Sequence, residues 1–430
     1  MSTPVRRQLM PGVWLTALQT RKFKSSYWSA LLLTPLGEDT AAMTALLPRV
    51  LNRGTARCPD RQRLAAALEE LYGAVVSPVV VKLGEVQAAG FHGSFLDDPY
   101  ALDGKPLSPR AAELLGDLLL RPATRNGRLK AAFVEGEREN LLSEIRAQSN
   151  DKMRWAAQRL NQEMCQGETF AVDRLGSEAA VQRIRKPELD RHYRELLTRS
   201  RLELYYCGST APDRIAQYWE ESLMDLPRSG RFELPETQWI AHPTQVRQVV
   251  QRQDVTQAKL AMGLRTNIRL DSADWPALMA ANALLGGAPS SKLFQKVREE
   301  QSLCYYAMSV LDPHKALMSI HAGIAPEQAQ RALDAILEQL AALQSGDFTA
   351  KELEAAKRHR CNQLRSALDT QAGLYGFYTD QSQSAMPMTI REQIALLEQV
   401  EAKDVVRAAG ALELDTVYLL TGKEDAHAAL

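Results

Sequence analysis

The chain has 430 residues, of which 45% are hydrophobic and 24% are charged, so it can bury a large core and has room for two or three domains. The 52 lysines and arginines balance 52 aspartates and glutamates, which argues against a dedicated binder of nucleic acid or of anionic membranes. Neither a membrane-spanning apolar run nor a secretory signal is expected. The five cysteines are scattered without a C-x-x-C pair, which favours reduced thiols and a cytoplasmic location.

Strands and helices alternate along the first half of the chain. Apolar runs, or runs in which apolar and polar residues alternate, predict two strands. Apolar residues at helical spacing predict three helices, one between the strands and two after the second strand. A further helix closes this half together with a short apolar strand. In chain order these segments are 27–36 (strand), 40–54 (helix), 86–96 (strand), 110–122 (helix), 128–148 (long helix) and 188–209 (helix and strand).

The same order of elements recurs in the second half. The segments there are 258–265 (strand), 272–287 (helix), 316–324 (strand), 327–344 (helix), 349–368 (long helix) and 404–422 (helix and strand). A repeat of half the chain is too long for a solenoid and indicates two copies of one domain, each with helices over a sheet. We therefore expect an α+β protein with domains at 1–226 and 247–430, joined by a polar, proline-containing linker at 227–246.

Motifs for metals, phosphates and catalytic nucleophiles are absent from the sequence. No two of the seven histidines lie three to five residues apart, and the closest pair, His314 and His321, is seven apart, so no helical turn offers paired imidazoles to zinc. Neither the P-loop spacing, nor G-x-G-x-x-G after a strand, nor the G-x-S-x-G elbow occurs. The residues therefore predict no metal and no cofactor.

One segment is specific enough to indicate a family. LLGG at 284–287, followed by SSKLFQKVREEQSLCYYAMS at 290–309, resembles the second-domain signature of insulinase/pitrilysin-type zinc peptidases, which include the mitochondrial processing peptidases. The resemblance extends over nearly the whole chain. It implies two homologous α/β domains, each a mostly antiparallel sheet packed with helices, arranged as half of a clamshell.

The family's catalytic motif is degenerate in this chain. Active members carry H-x-x-E-H on a first-domain helix, where the histidines bind zinc and the glutamate is the general base. In the family, the motif is followed by a basic residue and Gly-Thr, and Arg53-Gly54-Thr55 fits that pattern. Aligned on this segment, Ala45 and Arg49 lie at the two histidine positions and Pro48 lies at the glutamate position. Alanine and proline offer no ligand or base, and arginine is a fixed cation that repels a divalent metal.

A later helix retains the family's acidic residues. In GERENLLSEI, Glu144 lies at the position of the third zinc ligand and Glu137 at that of a supporting acid, and the spacing of seven places both on one helix face. By pattern alone, they equally fit two acids of an amphipathic helix. With zinc absent, we expect Arg49 and Glu144 to form an ion pair, so that Arg49→Ala destabilises the protein.

The second domain retains another element of the family. In active members, an arginine and a tyrosine seven residues apart reach the substrate at the zinc site of the facing domain, and Arg298 and Tyr305 fit that spacing. Arginine can grip a substrate carbonyl, and a tyrosine hydroxyl can stabilise an oxyanion. The alternative is a solvent-facing arginine and a core tyrosine, and the neighbouring Tyr306 is expected to pack.

The resemblance implies a non-catalytic subunit. Two-chain members of the family pair a zinc-bearing subunit with one that supplies the arginine and tyrosine, and the two enclose an extended peptide. The chain is similar to bacterial partners of this kind, some of them associated with elongation factor P modification. We expect no peptidase activity of the chain alone and a heterodimer with a zinc-bearing paralogue. A binding or scaffold protein without a proteolytic partner is the alternative, and a peptidase with unusual ligands is the third interpretation.

Overall fold

The computed structural model describes residues 3–230, 232–238, 242–382, 384 and 386–422, which separate into two units. Unit 1 comprises Met1–Arg146 and Val172–Glu236, and unit 2 comprises Ala147–Ala171 and Thr237–Leu430. The segment 147–171, which the sequence analysis assigned to the first domain, thus packs with the second half of the chain. Residues 231 and 239–241 of the predicted linker lie outside the described residues.

The strands and helices of the described residues are numbered in chain order. The strands are β1 (Val5–Met10), β2 (Val13–Gln19), β3 (Ser25–Pro35), β4 (Val75–Leu83), β5 (Val86–Leu96), β6 (Thr124–Arg125), β7 (Arg128–Leu129), β8 (Arg201–Gly208), β9 (Arg247–Gln253), β10 (Ala258–Arg265), β11 (Cys304–Asp312), β12 (Leu317–Ile324) and β13 (Glu413–Gly422). The α-helices are α1 (Ala41–Leu51), α2 (Arg61–Glu69), α3 (Ser108–Leu120), α4 (Ala131–Ala147), α5 (Lys152–Met164), α6 (Glu178–Arg183), α7 (Lys186–Arg199), α8 (Pro212–Ser222), α9 (Trp275–Asn282), α10 (Ala329–Ser345), α11 (Ala350–Ala367), α12 (Gln371–Ser382), α13 (Ile390–Glu398) and α14 (Ala402–Gly410). Two π-helical segments, Ala283–Gly287 and Leu293–Glu300, follow α9. Short 3₁₀ turns span Asp98–Tyr100, Gln148–Asn150, Thr169–Ala171 and Pro326–Gln328.

Unit 1 is built on a six-stranded sheet in the order β1-β2-β8-β3-β5-β4. The neighbours are antiparallel except β2 and β8, which are parallel. The strand β3 lies in the middle and is buried along most of its length, because both neighbouring strands and the packed helices cover it. Its Trp28 contacts Tyr206 of β8 and Trp219 of α8 edge-on or tilted, at ring-centroid distances of 4.8 and 5.8 Å.

Unit 2 repeats this plan with five strands in the order β11-β12-β10-β13-β9. Here β13 and β9 form the parallel pair, and the other neighbours are antiparallel. The strands β9, β13, β10, β12 and β11 therefore occupy the places that β2, β8, β3, β5 and β4 hold in unit 1. The fold class predicted from the repeated pattern is confirmed: two related α/β units, each a mostly antiparallel sheet with helices.

The helix α5 covers the sheet of unit 2, although it precedes that sheet by about a hundred residues in sequence. Its Leu160 is fully buried in a cluster with Ala261, Tyr418 and Leu420 of β10 and β13. A Cβ at Gly263 of β10 would lie 2.4 Å from the sulfur of Met164, so the glycine permits this close helix–sheet contact. Hydrophobic burial on β10 thus determines where α5 packs.

Buried charges attach the end of this segment to unit 2. Arg265 donates to Asp415 at 2.8 Å and to Glu168 at 2.8 Å, and Lys315 Nζ lies 2.8 Å from the other oxygen of Glu168. Arg265 and Lys315 are almost completely buried. Burial alone would raise the pKa of Glu168. The hydrogen bonds and charges of Arg265 and Lys315 lower that pKa by more, so it lies below its ordinary value. The carboxylate therefore stays charged and holds residues 165–171 in place.

Candidate functional site

The helix α1 carries the three residues that the resemblance assigns to the family's zinc motif. Ala45 and Pro48 are buried, and the side chain of Arg49 is 21% exposed. Pro48 lies inside the helix, where it lacks the amide hydrogen that would bond to the carbonyl of Thr44. The helix face that would hold a metal therefore presents a methyl group, a pyrrolidine ring and a guanidinium.

Arg49 pairs with Glu144, the acid that the resemblance assigns to the third zinc-ligand position. Its Nη2 donates to Oε2 of Glu144 on α4 at 2.5 Å, and the glutamate side chain is 41% exposed. The ion pair expected from the sequence is thus present in the structure. Because the contact is charge-assisted, a carboxylate that could serve as a ligand is occupied by a cation of the same chain.

A second arginine pairs with the other retained acid. Arg53, four residues after Arg49, donates through Nη1 to Oε1 of Glu137 at 2.9 Å. The Nδ2 of Asn140 donates to the second oxygen of Glu137 at 3.1 Å, and the glutamate side chain is only 9% exposed. The Arg53 guanidinium also lies 5.5 Å from the ring centre of Phe133. Glu137 and Glu144 of α4 are therefore each paired with an arginine of α1 or of the turn after it.

These residues do not fit a zinc ion. Two of the three motif positions have no donor atom, the third is a permanent cation, and Glu144 is bound to that cation. Within the described residues, no group of three or more His, Cys, Asp or Glu side chains is arranged to hold a metal. Without a metal or a general base at Pro48, this helix pair cannot activate water.

A buried histidine, His192, contacts α1 through the side chain of Thr44 and was not expected from the sequence. Nε2 of His192 on α7 is 2.8 Å from the hydroxyl of Thr44, and both side chains are buried. Burial lowers the pKa of His192 below its ordinary value, so the imidazole is neutral near pH 7. Because its hydrogen bond goes to a side chain of α1, His192 helps to position that helix. In the sequence it is an isolated histidine that belongs to no motif, so nothing there indicated this contact.

Arg298 lies on the π-helical segment Leu293–Glu300. The guanidinium stands 4.6 Å from the ring centre of Phe294, its Nε is 3.6 Å from Oε1 of Glu299, and the side chain is 41% exposed. Both neighbours are local in sequence and leave the guanidinium accessible to solvent. Segments of π-helix are frequent at functional sites, because the wider turn redirects side chains.

Tyr305 lies at a β-bulge near the start of the edge strand β11. Cys304 pairs with Ile324 of β12 and Tyr306 with Gly323, so Tyr305 is the extra residue between them. The residue is 63% exposed, which excludes the alternative of a core tyrosine. Its hydroxyl makes no hydrogen bond to any residue that the structure describes. Ser302, with φ of +51°, turns the chain from the helix into this strand.

The residues on either side of Tyr305 point inward. The ring of Tyr306 occupies the space above Gly323, where a Cβ would lie 2.4 Å from a ring carbon, so Tyr306 packs on the sheet. Cys304 is buried, and burial raises the pKa of its thiol to about 11. The thiol is therefore protonated at neutral pH and a poor nucleophile. Tyr305 is consequently the side chain of this stretch that faces solvent.

Comparisons with known proteins agree with this fold. Residues 183–359 match the family model described as Peptidase M16 inactive domain. The probable inactive metalloprotease YmfF of Bacillus subtilis is 32% identical over 415 residues, which cover 96% of this chain and 97% of the relative. The uncharacterized zinc protease YmxG of the same organism is 23% identical over 247 residues, 56% of each chain.

A solved structure matches the whole chain. The crystal structure of a conserved protein from Enterococcus faecalis superposes with a TM-score of 0.88 at 25% identity and covers 98% of this chain and 99% of that one. Among the helices of the described residues, none combines the length and apolarity that crossing a bilayer requires. Given the full-length match to YmfF and the missing zinc ligands, the chain belongs to the M16 family of insulinase/pitrilysin-type peptidases as a catalytically inactive member.

Proposed function

We propose that this chain pairs with a zinc-bearing paralogue and completes that subunit's peptide site through Arg298 and Tyr305. The observation that carries the proposal is the contrast in how polar side chains are paired within the chain. Arg298 and Tyr305 face solvent at a π-helical segment and a β-bulge with only local neighbours among the described residues, whereas the residues that the resemblance places at the zinc position form the Arg49–Glu144 ion pair. An arginine and a tyrosine that contact a substrate can contribute to peptide cleavage only if another chain supplies the metal that activates water.

The chemistry of the two side chains fits an extended peptide as ligand. A guanidinium donates two parallel hydrogen bonds to carbonyl or carboxylate oxygens, and a phenol hydroxyl donates to a developing oxyanion. Neither group activates water by itself, so the paralogue provides the nucleophile and the general base. In this proposal, residues 1–226 and 247–430 are the two family domains, and 227–246 is the linker between them. We place the assembly in the cytoplasm, because the five cysteines are free thiols.

The experiment is to mix the purified chain with the zinc-bearing paralogue of the same organism and to measure peptide turnover. We expect turnover only by the mixture, with Arg298→Ala and Tyr305→Phe each lowering kcat by about tenfold to a hundredfold, since each removes one transition-state contact. Size-exclusion chromatography should show that both variants still assemble.

Arg331→Ala provides a matched control, because this exposed arginine lies on α10 away from the signature segment and donates to Gln328. Its turnover should equal that of the unaltered mixture. Full activity of both Arg298→Ala and Tyr305→Phe would contradict the proposed role. A stable complex without turnover of any peptide would instead favour a binding or scaffold protein.

A further inference from the structure

Unit 2 contains a cavity that is separate from Arg298 and Tyr305. Its volume is about 350 Å³, and its walls come from α9, β11, α11, α12 and α13. The strand β11 contributes Ser309, Val310 and Leu311, whereas Tyr305 lies near the other end of that strand. This volume is at the lower end of the range for small-molecule sites.

Part of the cavity lining is apolar and aromatic. Trp275 and Met279 of α9, Leu311 of β11 and Phe377 of α12 line it. The Phe377 ring is held edge-on against Tyr378 at a centroid distance of 5.2 Å. Such a surface binds the apolar body of a ligand through burial and ring contacts.

The cavity also contains a cation that no acid of the described residues neutralises. Arg360 of α11 lines it, and its Nη1 donates to Oε1 of Gln363 at 3.0 Å. In the part of the chain that the structure describes, no carboxylate lies within ion-pair distance of this guanidinium, and its Nε has no hydrogen-bond partner. Burial lowers the pKa of Arg360, which records the cost of holding this charge away from water.

The acid that shares the cavity is paired elsewhere. Oδ1 of Asp380 lies 3.0 Å from Nε2 of His314, which is mostly buried. Although burial lowers the pKa of His314, the hydrogen bond and charge of Asp380 raise it above its ordinary value overall. Asp380 therefore has its own partner, and the positive charge of Arg360 is left for a ligand.

We propose that this cavity binds a small carboxylate with an apolar or aromatic body. The carboxylate pairs with the guanidinium of Arg360, and the body lies against Trp275 and Phe377. A planar guanidinium is the side chain that best matches a carboxylate, and the pair gains strength in a partly desolvated site. Such a ligand is either a free carboxylic acid or the carboxyl-terminal residue of a peptide.

Isothermal titration calorimetry with N-acetyl-L-phenylalanine and with its uncharged amide tests the proposal on the full chain. We expect saturable binding of the acid and at least about tenfold weaker binding of the amide, because the charge-assisted hydrogen bond is lost. A titration with the tripeptide Gly-Gly-Phe compares the two sources: tighter binding than the free acid identifies a peptide end, and weaker binding identifies a free acid.

Arg360→Gln should weaken binding of the acid at least about tenfold. Arg358→Gln, at an exposed position two residues earlier on the same helix, should leave it unchanged. A thermal melt checks that both variants fold, and we expect no loss of stability from Arg360→Gln, since an uncompensated charge is removed. No saturable binding up to about 10 mM, equal binding of acid and amide, or an unaffected Arg360→Gln variant would each overturn the proposal.

Discussion

Two regions of the chain, which the resemblance assigns to the family's active site, differ in how their polar groups are paired. Around α1 and α4, Glu144 and Glu137 are bound by arginines of the same chain, at 2.5 Å for Arg49–Glu144 and 2.9 Å for Arg53–Glu137. In unit 2, Arg298 has only local neighbours among the described residues, and Tyr305 is 63% exposed. In the first region the charged side chains pair with one another across two helices, and in the second they face solvent.

The difference shows how carboxylates between two helices are neutralised without a metal. Such a carboxylate needs a positive partner, and two arginines four residues apart each bind one glutamate of the facing helix. Residues that contact only a substrate have no such requirement, so they stay exposed. The comparison leads to three predictions, from the largest expected effect to the smallest.

Restoring the motif should restore metal binding. In the triple variant Ala45→His, Pro48→Glu, Arg49→His, two imidazoles replace the methyl group and the guanidinium, and Glu144 is released from its ion pair. We expect about one zinc per chain and an affinity more than about a hundredfold above that of the unaltered protein, measured by calorimetry and metal analysis.

Adding Glu144→Gln to that variant should weaken zinc binding by at least about tenfold, because an amide is a poorer ligand than a carboxylate. The same change at an exposed glutamate of α4, Glu139→Gln, is the matched control and should leave zinc binding unaltered. A folded triple variant that binds no more zinc than the unaltered chain would contradict the assignment of positions 45, 48 and 49.

Breaking the two ion pairs should destabilise the protein to different degrees. Arg53→Ala leaves the nearly buried Glu137 without its cation, and we expect a loss of about 2 kcal/mol in the free energy of unfolding. Arg49→Ala leaves Glu144, which is 41% exposed and partly screened by water, so the loss should be about 1 kcal/mol. Urea denaturation followed by circular dichroism measures both.

Double-mutant cycles separate the coupling energy of each ion pair from the other contacts that each substitution removes. Arg53→Ala also removes the contact with Phe133, whereas Glu137→Gln removes only the charge. The coupling energy should therefore be larger for Arg53 with Glu137 than for Arg49 with Glu144. An unchanged stability of Arg49→Ala would show that its ion pair contributes nothing to the fold.

The exposed pair should contribute little to stability. Arg298→Ala and Tyr305→Phe, measured by the same denaturation, should each change the free energy of unfolding by less than about 0.5 kcal/mol, because neither side chain is buried. A loss of about 2 kcal/mol or more, on the scale of a buried pair, would assign these residues to the fold rather than to a ligand.

Much of the fold could be predicted from hydrophobic patterns. The predicted strands at 27–36, 86–96 and 258–265 correspond to β3, β5 and β10, which are buried and strongly apolar. The edge strand β9 (RQVVQRQ) was missed, because its alternating exposure leaves few apolar residues to form a signal. The packing of α5 on unit 2 was also missed, since a helix's own pattern shows that it has a buried face but not which sheet covers it.

Part of the candidate site could be predicted from the chemistry of its side chains. That Arg49 would meet Glu144 followed from the resemblance, whereas the Arg53–Glu137 pair and the Thr44–His192 contact did not. The two residues of each contact are 84 and 148 positions apart in the sequence, and the sequence does not show directly which distant residues come together in space. The bulge that exposes Tyr305 likewise depends on its register with β12.

The sequence by itself determined that this chain lacks the ligands and the base of a zinc peptidase, because a donor atom is a property of the residue and no fold can add one to alanine or proline. The tertiary structure alone decided that Arg53 neutralises Glu137, that Tyr305 is exposed, and that Arg360 lines a cavity in which no described carboxylate pairs with it. Those properties depend on distances between residues far apart in the chain, and these are determined only when the helices and sheets pack.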